Sequence, residues 1–191
     1  MVALIHQSSS TVEDYLKQEE KAVEKSEFIN GTIITMAGAS ANHNRLTLNL
    51  SRSLPLETGE QNYEIFVSDM RLWIAEFQSY VYPDVMVIQG EPEFTNAQQI
   101  AVTNPCLIAE VLSTSTAGFD KSQKFTLYRS IPQLQEYLLI DQTAYRVELY
   151  SRVGERQWLL TELIGEEAIA ELNVVNLQIK LSDLYKRVKF E

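Results

Sequence analysis

Tyr82-Pro83-Asp84-Val85-Met86-Val87-Ile88 and Leu107-Ile108-Ala109-Glu110-Val111-Leu112 decide how this chain is read. Each is an apolar, β-branched run of the kind that forms a buried strand, and each carries one carboxylate. A buried carboxylate is costly unless it is paired, protonated or bound to a cation. Alternation along a strand puts Tyr82, Asp84 and Met86 on one face, and Ile108, Glu110 and Leu112 on one face of the other. If the two strands are neighbours, Asp84 and Glu110 converge and offer oxygen ligands to a hard ion such as Mg²⁺, or Mn²⁺ in its place.

Working outward, Thr11 is placed to cap a short polar helix with Glu13 and Asp14 in its first turn. Asn30-Gly31 marks a tight turn in a hairpin over 24–38. Ser40 caps a helix running to about residue 56, with Leu46, Leu50 and Leu54 on one face and Pro55 near its end. Strands are expected at 63–66, 70–74 and 80–88, then a polar connection over 90–104 before the Glu110 strand. A small-residue loop, 113–118, leads to a helix over about 120–130, stopped by Pro132. Strands at 136–141, 146–151 and 156–163 and a short helix at 181–187 complete the order. It predicts an α/β (α+β mixed) fold, a central mixed β-sheet flanked by helices with an N-terminal helix and hairpin.

The 191 residues fit a single domain, 1–191, with its core over about 11–184, and 45% hydrophobic content supports a sizeable interior. Cys106 is the only cysteine, so no internal disulfide forms and a reducing, cytoplasmic location is expected. No apolar run reaches transmembrane length, and residues 1–10 lack the layout of a signal peptide, so no membrane association is expected. His6 and His43 are too few histidines for a zinc site of the usual kind. The net charge of −10 counts against general DNA binding, which depends on cations meeting phosphates. It leaves room for a local basic groove or a bound metal.

Lys121, Lys124 and Tyr128, at i, i+3 and i+7, share a side of the 120–130 helix, from which a lysine can reach the acids. Two carboxylates, a divalent ion and a lysine suit phosphodiester hydrolysis: the metal polarises the phosphate and the lysine steadies developing charge. Glu27, on the first hairpin, is a further candidate ligand or supporting contact. Each candidate has an ordinary counter-reading: Asp84 and Glu110 as strand-end acids paired with arginine, Lys124 as a solvated helix cation with Lys121 competing for its role, Tyr128 as packing. His43 reads mainly as a helix-start residue, with contact to phosphate or a partner chain as its functional alternative, and Glu136 and Asp141 read as structural. Lys186-Arg187-Val188-Lys189 reads as a solvated basic tail able to touch nucleic acid.

In order and spacing, Pro83-Asp84, Glu110-Val111-Leu112-Ser113, Asp120 with Lys124 and Tyr128, Glu136-Tyr137 and Asp141 resemble the Uma2 group (DUF820) of the PD-(D/E)XK nuclease superfamily. Glu27-Phe28-Ile29-Asn30-Gly31, Met36 and Asn42-His43-Asn44-Arg45 match upstream, so the resemblance spans about 11–184. It implies a restriction-endonuclease-like fold, Mg²⁺-dependent hydrolysis of DNA phosphodiesters and often a homodimer. It gives Asp84 the place of the PD aspartate, Glu110 that of the (D/E)XK acid and Glu27 that of the acid on the first element, with Asp84 and Glu110 as metal ligands. The motif's lysine would fall at Leu112, so the charge must come from elsewhere, and Lys124 is positioned to supply it. Two other functions suit the same residues. One is a non-catalytic binding module on this fold, consistent with Leu112 and the acidic surface; the other is a hydrolase of small phosphorylated molecules.

Overall fold

The run expected as one strand over 80–88 is two strands, Ser79–Val81 and Val85–Gln89, in the computed structural model, which describes residues 5–6, 10–36, 38–113 and 117–190. Proline has a fixed φ and no N–H to give a ladder, so the strand breaks at Pro83 and Tyr82-Pro83-Asp84 becomes a link. Its two halves lie in different sheets. Ser79–Val81 belongs to a six-stranded sheet, between Ser26–Ile29 and Arg71–Ile74. Val85–Gln89 belongs to a seven-stranded sheet, between Gln61–Val67 and Leu107–Leu112. Asp84 therefore stands where the chain crosses from one sheet to the other, instead of inside a strand.

Leu107–Leu112 is the organising strand of the larger sheet. It runs antiparallel to Val85–Gln89 and parallel to Glu136–Asp141, which makes the sheet mixed. Arg146–Gly154 and Gln157–Ile164 extend it antiparallel to its edge. Ile108 and Leu112, on either side of Glu110, pack with Met86, Tyr137, Leu139 and Tyr128, and with Leu72 and Val81 of the smaller sheet. Leu107, Ala109 and Val111 pack on the opposite face against Leu46 and Leu50 of the Ala41–Ser53 helix. One strand thus serves two apolar layers and presents its acid to the layer between the sheets.

Local chemistry sets most element ends. Thr11 and Asp14 cap Val12–Glu19 reciprocally, and Ser40 caps Ala41–Ser53, which stops two residues before Pro55 instead of running to 56. Asn30 and Gly31 both take positive φ (49° and 83°), as a two-residue hairpin turn requires. The helix expected over 120–130 runs over 117–128 and widens into a π turn at Asp120–Lys124. Of the expected 113–118 loop, residues 114–116 lie outside the described residues. Ala101–Val102 forms a short strand within the stretch expected as a polar connection. A hairpin of Ile169–Leu172 and Leu177–Lys180, absent from the sequence reading, packs under the larger sheet. Its turn has no glycine to announce it; Asn176 supplies the left-handed residue, at φ 50°. Among the described residues no helix is long and apolar enough to cross a membrane.

Candidate active site

Four segments bring one charged cluster together: Ser26–Ile29 supplies Glu27, the link between sheets Asp84, Leu107–Leu112 Glu110, and the π turn Lys124. The register Ala109↔Val85 makes Glu110 and Asp84 the next positions along their neighbouring segments. There the Asp84 N–H donates to Glu110 Oε2 at 3.4 Å, and the Val111 N–H donates to Asp84 Oδ2 at 2.8 Å. Lys124 Nζ lies 3.0 Å from Glu27 Oε1, 3.1 Å from Glu110 Oε1 and 3.7 Å from Asp120 Oδ1. Glu27 Oε1 also accepts the Tyr82 N–H at 3.1 Å, which ties the first hairpin to the link. Tyr128, one turn past Lys124, donates its hydroxyl to Glu110 Oε1 at 2.6 Å. His43 Nε2 stands 3.0 Å from Asp84 Oδ2.

Glu27, Glu110, Asp120 and Lys124 are each no more than 7% exposed, so these contacts act in a poorly screened setting. Burial pushes the Glu110 carboxyl well above its usual range; the Lys124 charge opposes this, Asp84 and Asp120 add to it, and the Tyr128 hydroxyl opposes it. Burial also works against the charge on Lys124. Glu110, Glu27 and Asp120 together outweigh it, and the ammonium is held above the usual lysine range. Burial and then Glu110 push the Tyr128 phenol well above its usual value, so it stays a donor.

The Uma2 family model, described as "Putative restriction endonuclease", matches residues 12–182. The chain belongs to the Uma2 family. It is 70% identical over 167 residues to the uncharacterized protein sll1609 of Synechocystis sp., covering 87% of this chain and 94% of that one. A second uncharacterized Synechocystis protein, slr1290, is 34% identical over 178 residues, 93% of this chain and 92% of its own. A crystal structure from Anabaena variabilis, described as "a putative nuclease belonging to DUF820", has the same fold. It matches with a TM-score of 0.71 at 17% identity over 94% of this chain and 99% of that one.

In this Uma2 chain Asp84, Glu110, Glu27 and Lys124, all named from sequence, stand in one cluster. Lys121 does not join them. The i→i+5 bonding of the π turn rotates it away from Lys124, and its Nζ meets Glu148 Oε1 at 2.5 Å. His43 does more than begin a helix: its N–H goes to the Ser40 hydroxyl at 3.0 Å while its imidazole reaches Asp84. The hints in sequence were its place in the first turn of a helix and the Asn42-His43-Asn44-Arg45 stretch in the family resemblance. Tyr128, read as packing, also makes a polar contact; its i+4 spacing from Lys124 was the available signal.

Among the described residues no three His, Cys, Asp or Glu side chains form a ready metal-ligating group, and Lys124 and His43 each hold one oxygen, of Glu110 and Asp84 respectively. The donor chemistry fits a hard divalent ion all the same. Asp84 and Glu110 offer carboxylate oxygens from adjoining positions, and four acids, with Glu27 and Asp120, face Lys124 and His43.

Proposed function

We propose that this Uma2 protein is a divalent-metal-dependent endonuclease that hydrolyses DNA phosphodiester bonds. The observation that carries the reading is the convergence of Asp84, Glu110, Glu27 and Lys124 from two sheets and a helix into one buried cluster. Asp84 and Glu110 would hold Mg²⁺ or Mn²⁺, and a bound ion supplies positive charge at the scissile phosphate and acidifies water there. Lys124 keeps its proton and presents a fixed ammonium for the charge that develops on the phosphate. Tyr128 and His43 hold Glu110 and Asp84 in place. Glu27 orients Lys124 and joins the hairpin to the Tyr82-Pro83-Asp84 link.

A homodimer belongs to the same reading. It is supported by the edge strand Gln157–Ile164, which leaves Leu159, Leu160 and Ile164 exposed beside a ladder unpaired among the described residues. A cytoplasmic location is supported by the free, buried Cys106. The second reading, a binding module without turnover, is favoured by Leu112 in the lysine position of the motif and by the acid oxygens already held by Lys124 and His43.

Calorimetric titration with Mn²⁺, run with plasmid nicking on wild type and Asp84→Ala, tests this. Binding and nicking in wild type, both lost in a folded Asp84→Ala, are expected. Metal binding without nicking moves the substrate to small phosphorylated molecules. Neither signal in folded wild type overturns the nuclease reading in favour of the binding module.

A further inference from the structure

The basic tail of this acidic protein is fastened beside the candidate site. Asn42 Nδ2 donates to the Lys189 carbonyl at 2.7 Å, and the Lys189 N–H returns to Asn42 Oδ1 at 3.3 Å. Asn49, two turns along the same helix, donates to the carbonyls of Leu184 and Lys186 at 2.8 and 2.9 Å. Phe190 closes the anchor by packing against the rings of Tyr145 and Tyr185, at 4.8 and 5.9 Å between centroids. The helix that carries these two asparagines is the one whose His43, next to Asn42, touches Asp84.

The cations of this segment are exposed, and their backbone is held. Lys186, Arg187 and Lys189 all face solvent, and Arg45 Nη1 reaches Asn42 Oδ1 at 3.0 Å from the same helix. Several lysines elsewhere meet local acids: Lys17 meets Glu13, Lys25 meets Asp69 and Lys180 meets Glu167. Among the described residues none of Arg45, Lys186, Arg187 and Lys189 stands in a salt bridge. These four cations, without a carboxylate partner among the described residues, lie on or beside the helix whose first turn holds Asp84, on a chain of net charge −10. A pinned backbone also leaves little ordering cost when such a segment meets a polyanion.

We propose that Lys186, Arg187 and Lys189, with Arg45, form the docking strip for the phosphodiester backbone of duplex DNA and lead the strand to the Asp84–Glu110 cluster. The inference rests on the nuclease reading for its ligand and on the asparagine clamps for its place. Contacts of this kind position a duplex without reading its sequence. They release counterions, so each one steepens the fall of affinity with salt.

The test is fluorescence anisotropy with a labelled DNA duplex without metal, across a salt series, on the full chain. The variants are Lys186→Gln with Arg187→Gln and Lys189→Gln together, and Lys189→Gln alone. Glutamine keeps the side-chain length and suits the exposed positions. The triple variant is expected to lower the slope of log K against log salt by about three and the single variant by about one. Unchanged slopes in both, or no duplex binding by wild type at low salt, overturn the proposal. Mn²⁺ titration of the triple variant is expected to match wild type. Failure of the nuclease reading shows instead in wild-type metal binding and nicking, so the two failures are distinguishable.

Discussion

Glu110 and Glu136 are buried acids on adjacent parallel strands, and they face opposite ways to opposite ends. Glu110 looks into the space between the sheets, where Lys124, Tyr128 and the Asp84 N–H all address it. Glu136 looks to the other face, where Oε1 accepts the Asn173 N–H at 2.9 Å and Oε2 has no partner among the described residues. Its carboxyl is pushed up by burial and drawn back only by the backbone N–H groups of Asn173 and Val174. One acid is surrounded by groups that compete for its charge; the other holds down a turn. Burial alone does not mark a site. A buried acid becomes a candidate when other charges contest it.

The contrast is broken most directly by activity. Glu110→Gln is expected to cut plasmid nicking at least about a hundredfold, while Glu136→Gln leaves it at the wild-type level. Equal losses in both would reduce Glu110 to a structural acid. Next in size is stability. Lys124→Met strands Glu27, Glu110 and Asp120 without their cation and is expected to cost about 3–5 kcal/mol in urea unfolding. Lys121→Met, from a partly exposed pair with Glu148, should cost under about 1 kcal/mol on the same measure. Tyr128→Phe removes one donor from Glu110 and keeps the ring, for an expected loss of about 1–2 kcal/mol.

The smallest effect sharpens the Glu136 side. An acid whose pKa is higher in the native state than in the unfolded chain stabilises when protonated and loses that contribution as pH rises through the native value. Glu136→Gln should therefore gain on wild type as pH climbs out of the usual glutamate range, and the gap should close in acid. Urea midpoints at several pH values measure it, and a gap that widens in acid would refute the assignment.

Much of this was legible because local chemistry and tertiary placement agree. The Asn30-Gly31 turn, the Thr11 and Ser40 caps and the apolar face of Leu46 and Leu50 are local rules, and they held. Asp84 and Glu110 showed as acids in apolar runs, and their meeting followed from the strand neighbours they have. What escaped depended on how segments are turned. Pro83 was visible, but that its break would send the chain into a second sheet was set by the Ser26–Ile29 partner. Lys121 and Lys124 share a side only on an ideal helix, and the π turn separated them. His43 reaches Asp84 through a docking angle between helix and sheet that no spacing encodes.

The sheet crossing at Tyr82-Pro83-Asp84 also decides when a site exists. Glu27 and His43 are made before the crossing and Glu110 and Lys124 after it, and the crossing joins the two sets. A nascent chain that has folded only its first hairpin and helix holds scattered acids and no cluster. The charged centre is thus withheld until the segments carrying Glu110 and Lys124 have been made and docked on the first hairpin, so its assembly marks the meeting of the two sheets.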